Sequence, residues 1–367
     1  MSFESGAVSF RLLYVVRQLP ADARERFARH AAPPLPTLST EPVQGWVGGR
    51  HLLDVPITEE NATFGGHLRL TLVKAERKVP PSLLRAECIM EEVAHMRAEN
   101  KSFVDRKTRS DIRKAVLNRL LPQMPPTLKG LPFVHDERAG IVYLGGTSET
   151  QLDAFCVQFR MTLGLDLIPV AADTAAAKRH QIKVADWSKT SFSPEVGDDE
   201  MEETPGHDFL TWLWFASEAR GGIFKSKEHG DVGVALEGPL LFTREGDGAH
   251  ETALRKGLPT VSAEAKTALL GGKKLRRAKL LIACADDSWS GTFDAATFVF
   301  RSLKLPESKE VLDAASRFQE RMGKLGLFRD IFFEIFDRFV ADRTDPKKWM
   351  AVKKEIHRWV ADRTTRR

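Results

Sequence analysis

The stretch from Val79 to Pro126 constrains the fold most. It opens on Pro80-Pro81, closes on Pro122, Pro125 and Pro126, and is densely charged between. Proline removes a backbone donor and fixes φ, so these positions punctuate strands and helices. Leu83, Ala86, Met90 and Val93 recur at helical spacing, which predicts a helix from a Ser82 cap to about Phe103. A second helix, capped at Ser110, carries Ile112, Val116 and Leu120 on one stripe and ends at Pro122. Between them runs the basic connection Asp105-Arg106-Lys107-Thr108-Arg109. The expected unit is a helical hairpin with a basic tip, projecting from the body as an arm.

Charge is segregated along the chain. From Lys74 to Lys129 thirteen basic residues face seven acids. A second basic cluster holds Lys273, Lys274, Arg276, Arg277 and Lys279, with Arg255 and Lys256 upstream, and a third ends the chain at Arg363, Arg366 and Arg367. Glu195, Asp198, Asp199, Glu200, Glu202 and Glu203 form one acidic run. The formal charge of the 367-residue chain is only +5, from 55 Lys+Arg and 50 Asp+Glu. Setting aside the six acids of that run leaves +11 on the rest. Separated basic clusters suit a protein that neutralises phosphates along an extended contact. The candidate DNA-binding residues are Lys101, Arg106, Lys107, Arg109, Arg113, Lys114, Arg119, Arg255, Lys256, Lys273, Lys274, Arg276 and Arg277. With no zinc finger and no recognition helix to read base edges, the expected binding is to duplex DNA of any sequence.

Elsewhere strands and helices mix without the strict alternation of a parallel sheet, so the class is α+β. Ala7 to Val16 reads as a buried strand, Pro20 to Ala32 as a helix, Gly45-Trp46-Val47-Gly48-Gly49 as a turn, and His67 to Lys74 as a half-buried strand. Phe133 to His135 and Ile141 to Leu144 form a β-hairpin; Ser148 and Gln151 make a capping box for a helix closed by Gly164; Leu165 to Val170 returns as a strand. Ser188 to Gly206, with its prolines and acids, reads as an exposed, mobile loop. Beyond it come an aromatic helix capped by Asp208, a strand from Val232 to Phe242, a helix from Ser262 to Leu270, strands at Lys274 to Ala285 and Thr292 to Leu303, and a helical end. The expected divisions are 1–78, an α+β part; 79–129, the hairpin; 130–187, a central α+β part; 188–206, the acidic loop; 207–305, a further α+β part; and 306–367, a helical extension. Trp212, Trp214 and Phe215, and the stripe Phe328, Phe332, Phe336 and Phe339, are read as core; a dimer interface is the alternative for the stripe.

Several chemistries find no support. No Gly-x-Gly-x-x-Gly appears, and Leu270-Gly271-Gly272-Lys273-Lys274 lacks the upstream glycine and the Ser/Thr of a phosphate loop. There is no His-Glu-x-x-His, no Gly-x-Ser-x-Gly, and no Cys pair at zinc spacing among Cys88, Cys156 and Cys284. No metal or cofactor is expected, and the chain is read as a non-enzyme. One alternative is an Mg²⁺-dependent exonuclease, in which Asp294 and Glu307 hold the metal and Lys309 sits near the attacking water; Glu307, after Pro306, equally fits a helix start. The scattered cysteines, the missing signal peptide and the absence of a ~20-residue apolar run predict a soluble, cytoplasmic protein with no membrane contact.

The segment Val79 to Pro122 resembles the recombination-associated RdgC family of bacterial DNA-binding proteins. The likeness lies in Val79-Pro80-Pro81-Ser82, the charged helix, Arg106-Lys107-Thr108-Arg109 and the closing Val116-Leu117-x-x-Leu120-Leu121-Pro122. Gly45-Trp46-Val47, Leu167-Ile168-Pro169-Val170, Gly272-Lys273 and Phe300-Arg301-Ser302-Leu303-Lys304 extend it in family order. The resemblance implies a horseshoe-like α+β protomer whose hairpin joins it to a second copy, closing a ring-shaped homodimer around double-stranded DNA. It further implies a nucleoid-associated protein that limits the access of a RecA-type recombinase. Where the family tends to carry an aromatic anchor after Leu-Leu-Pro, this chain reads Gln123-Met124-Pro125-Pro126, so the candidate dimer contacts are Leu121, Met124 and Pro125. Gly257 and Leu258 replace the family's polar pair beside Lys256, and the acidic loop and the segment beyond Pro346 look like additions.

Overall fold

A computed structural model describes residues 3–38, 40–244, 250–308 and 313–362. The strands are β1 (Val8–Val15), β2 (Val43–Gly48), β3 (Thr63–Phe64), β4 (His67–Arg77), β5 (Pro126–Asp136), β6 (Ile141–Leu144), β7 (Leu167–Pro169), β8 (Ile223–Ser226), β9 (Gly230–Arg244), β10 (His250–Leu254), β11 (Lys274–Cys284), β12 (Asp287–Asp294) and β13 (Val299–Lys304). They join in one antiparallel sheet, ordered β10-β9-β11-β12-β13-β1-β6-β5-β4-β2, with β3, β7 and β8 paired to β4, β1 and β9. The helices are α1 (Ala23–Arg29), α2 (Glu59–Ala62), α3 (Pro81–Ala98), α4 (Arg106–Leu120), α5 (Glu149–Leu163), α6 (Ala172–His180), α7 (Pro205–Ala219), α8 (Ala263–Leu270), α9 (Ala314–Thr344) and α10 (Pro346–Ala361). The architecture is α+β, as expected, and among the described residues no helix is long and apolar enough to cross a membrane.

The period-2 geometry of a strand places two cores on opposite faces of the sheet. Along β1, Phe10, Leu12 and Tyr14 enter one cluster, while Leu13 and Val15 enter the other. On β6, Ile141 and Tyr143 divide from Val142 and Leu144 in the same way. The smaller cluster is closed by α1 and α5, where Trp46 meets Phe27, Phe133 and Phe155 edge-on at 4.9–5.7 Å. The larger is closed by α7, α8, α9 and α10. Trp212, Trp214, Phe215 and the phenylalanine stripe of α9 are all buried within it, so they are core and the stripe offers no dimer surface.

Several local expectations hold. Ser148 and Gln151 form the reciprocal cap of α5, and Gly164 ends that helix at φ 70°. Ser262 caps α8. Others change for reasons that lie outside the local sequence. Gly45-Trp46-Val47-Gly48 is strand, not turn, because its glycines admit close neighbours: a Cβ on Gly45 would lie 2.5 Å from Ala32 Cα. Ser82 does not cap α3, which starts at Pro81, a position where the missing N–H costs nothing. Ser110 lies inside α4, whose cap is Asp105, accepting from Lys107 N at 2.9 Å and Thr108 N at 3.0 Å. Asp208 lies inside α7 and does not cap it. Of the connection expected at Asp286 to Gly291, only Asp286 is turn; from Asp287 on it belongs to β12. Asp313, not a residue near Glu307, caps α9.

Ser188 to Gly206 is packed, and this corrects the mobile-loop reading. Thr190, Ser191, Phe192 and Ser193 are buried, and Phe192 stands edge-on to Trp349 of α10. Ser193 Oγ donates to the Leu270 carbonyl at 2.6 Å, and Trp349 Nε1 donates to Thr190 Oγ1. Burial pushes the Asp198 carboxyl up, but the Lys353 ammonium at 2.5 Å and the Ser191 N–H outweigh it and hold it below its ordinary value. The acids therefore edge a strap clamped by α10.

Candidate nucleic-acid interface

The hairpin α3–α4 is inserted between β4 and β5, whose facing ends are Arg77 and Pro126. α3 buries no residue and packs chiefly on α4, which buries Val116 and Leu120. The pair thus stands off the body, as the flanking prolines suggested. On α4, Arg106 and Arg113 are one seven-residue pair and Lys107 and Lys114 another. Members of each pair lie about 20° apart around the axis and about 10.5 Å apart along it. All four are exposed, and none has an ion partner among the described residues. Lys107 and Lys114 lie on the side of α4 turned away from Val116 and Leu120, whereas Arg106 and Arg113 flank the buried stripe, Arg113 standing one seven-residue step before Leu120.

The other candidate cations divide. Arg109 pairs with Glu92 at 3.2 Å, Arg119 with Glu87 and Glu91 at 2.7 and 2.8 Å, and Lys101 with Glu99 at 2.6 Å. These hold the hairpin together or neutralise its tip. Arg255 and Lys256, after β10, are exposed and without ion partners among the described residues. They sit at the opposite end of the sheet, seven strand steps from β5, roughly 35 Å along it.

The cluster around Lys273 is corrected by its contacts. Lys274 is 2% exposed, and its ammonium lies 2.6 Å from Asp208. Arg277 and Arg276 turn to the buried Asp294 at 2.5 and 3.6 Å, while Lys273 donates to Thr252 Oγ1. A buried cation with its own carboxylate has little charge left for a phosphate. Lys274 is therefore structural, Arg276 and Arg277 are half-buried and share the single Asp294 carboxylate, and Lys273 is held by Thr252. Arg363, Arg366 and Arg367 lie outside the described residues.

The same contacts bear on the metal constellation. Asp294 spends its carboxylate on the two arginines, Glu307 is exposed ahead of α9, and Lys309 lies outside the described residues. Among the described residues no group of three or more His, Cys, Asp and Glu side chains is disposed to hold a metal ion.

A family profile described as "Putative exonuclease, RdgC" matches residues 8–196, more than half of the chain. The chain belongs to the RdgC family. The recombination-associated protein RdgC of Pseudoalteromonas atlantica is 30% identical over 111 residues, which is 29% of this chain and 36% of the relative, so the aligned part spans about a third of that protein. The family match contains the hairpin with Arg106, Lys107, Arg113 and Lys114, whereas Arg255 and Lys256 lie beyond it. The RdgC dimer candidates sit at the base of the hairpin: Leu121 and Met124 are half-buried, with the Met124 carbonyl taken by Arg77, and Pro125 is exposed. The charge count contains Arg85 and Arg97 without separating them from their neighbours. Both are exposed on α3 and unpaired among the described residues, and only the pattern of ion pairs distinguishes them.

Proposed function

We propose that this RdgC-family chain binds duplex DNA without sequence preference and acts in recombination by occupying DNA that a RecA-type recombinase would otherwise use. The observation that carries the reading is the set of exposed cations on α4, Arg106, Lys107, Arg113 and Lys114, which have no carboxylate partner among the described residues. Such cations exchange counterions for phosphates, and contacts to phosphate carry no sequence information. Arg255 and Lys256 supply a second contact. The recombination role rests on the name of the Pseudoalteromonas relative.

We further propose that two copies enclose the duplex. Ile89, Met90 and Phe103 are 54, 64 and 71% exposed on the hairpin, an unusual amount of bare apolar surface for a helix pair that touches little else. A second chain docking there, with Leu121, Met124 and Pro125, would cover it. Sedimentation with DNA of different topology tests the enclosure. The complex should persist on closed circles and slide from linear duplex of the same length; equal lifetimes on both would refute a closed ring.

The family description names an exonuclease, which gives a second reading, a metal-dependent exonuclease using Asp294, Glu307 and Lys309, residues that lie beyond the matched span. It requires Mg²⁺- or Mn²⁺-dependent degradation of duplex ends that Asp294→Ala abolishes. Intact DNA after prolonged incubation of pure protein with either ion would end it.

A further inference from the structure

We propose that the outer side of α10 is a further contact for duplex DNA, made by Lys347, Lys354 and Arg358. It rests on the reading that the chain binds duplex DNA, and it adds a site beyond the family match, which ends at residue 196.

α10 is sharply two-sided. Trp349, Val352, Ile356 and Val360 are 5% exposed or less and seat it on the core, where Trp359 meets Trp214 edge-on at 4.8 Å. At about 100° per residue, Lys347, Lys354 and Arg358 fall within about 40° of one another on the opposite side, and Ala351 and Ala361 fill the rest of it. All three cations are exposed, and none has a carboxylate partner among the described residues. Glu355, the one acid within the helix, holds Arg220 at 2.9 Å on the flank, and Asp345 caps the start, accepting from Lys347 N at 3.0 Å and Lys348 N at 3.2 Å.

Two of these placements work against the helix itself. Lys347 stands in the first turn, where the dipole disfavours a cation, and Lys354 and Arg358 are like charges four residues apart. Lys353, next to Lys354, shows the contrast, since it turns to Asp198 at 2.5 Å and has a structural role. A polyanion docked on the outer side relieves both repulsions. The three charges span about 16.5 Å along the axis, equal to about five phosphate steps of one DNA strand, so a straight helix can follow one backbone at the edge of a groove. A lipid surface is the other polyanion that basic amphipathic helices meet, but it takes up the apolar side, and here that side is in the core.

Lys347→Gln, Lys354→Gln and Arg358→Gln combined in the full chain test this, beside a control that changes three exposed lysines elsewhere, Lys178, Lys225 and Lys227, to glutamine. Fluorescence anisotropy with labelled duplex between about 50 and about 200 mM salt should give the α10 variant a slope of log affinity against log salt shallower by about 2.7 and an affinity lower by roughly 500-fold at about 0.1 M, with little change in the control. Acetylation of the wild-type chain, read by mass spectrometry, should find Lys347 and Lys354 protected by duplex and Lys178 and Lys225 unprotected. An unchanged slope in the α10 variant, an equal loss in the control, or labelling of Lys354 that duplex does not alter would overturn the site and leave the α4 cations standing. Loss of binding to phosphatidylserine vesicles with DNA affinity intact would overturn it in favour of a membrane surface. A wild-type chain with no affinity for duplex at about 50 mM salt would overturn both this site and the reading it rests on.

Discussion

Replacing Arg106, Lys107, Arg113 and Lys114 together by glutamine removes four charges and almost nothing else. Glutamine matches Lys and Arg in helix propensity, and the four side chains are exposed without ion partners among the described residues, so the fold should change by no more than about 0.5 kcal/mol. Each phosphate contact contributes about 0.9 to the slope of log affinity against log salt. If all four engage, the slope becomes shallower by about 3.6, and at about 0.1 M salt the affinity falls by roughly three and a half decades. Fluorescence anisotropy with two labelled duplexes of unrelated sequence, titrated between about 50 and about 200 mM salt, reads both quantities. The loss should be equal for the two sequences. Arg109→Gln with Arg119→Gln is the control, because Glu92, Glu87 and Glu91 already neutralise those guanidiniums; its slope should move far less. An unchanged slope in the fourfold variant, or a loss confined to one sequence, would refute the assignment of this face.

Three further outcomes follow from the interior. Lys274→Ala should destabilise the protein by about 3–5 kcal/mol in chemical denaturation, because it strands Asp208 in the core, while leaving the salt slope of DNA binding unaltered. Thr162→Val removes the acceptor 2.8 Å from the buried Trp46 Nε1 and should cost about 1–3 kcal/mol; a neutral result would mean that the indole N–H finds another partner. Burial, reinforced by Lys274 and Arg276, pushes His207 down to about 4. The unfolded chain, titrating near 6.5, then binds the extra proton over the intervening range. Stability should fall as pH drops from about 6.5 to about 4, by roughly 3 kcal/mol, and His207→Phe should flatten that part of the profile.

The projecting hairpin was legible because its signals are local. Prolines bracket it and helical spacing fills it; the caps were less legible, since Ser82 does not cap α3 and Asp105 in place of Ser110 moved the start of the second helix forward by about a turn. The aromatic core segments were legible for the same reason, since 3.6-residue periodicity is written in the chain itself. The strand at Trp46 was not, because its glycines answer to the backbone of Ala32 and to Asp54, contacts that no window of sequence contains. The acidic strap looked mobile because its composition is polar, yet Trp349, Lys353 and Leu270, all distant in the chain, pin it down.

What the sequence determined by itself was the supply of charge and the periodicity that builds each element: a basic arm, an α+β order, and a helical end. Tertiary structure decided which charges remain available. Lys274 finds Asp208 across 66 residues, and Arg277 finds Asp294 across 17, while Arg106, Lys107, Arg113 and Lys114 find no carboxylate among the described residues. Periodicity reports which side of an element is buried, because that follows from bonded geometry. Ion pairing depends on distances set only when the sheet closes, and a charge count along the chain carries no record of them.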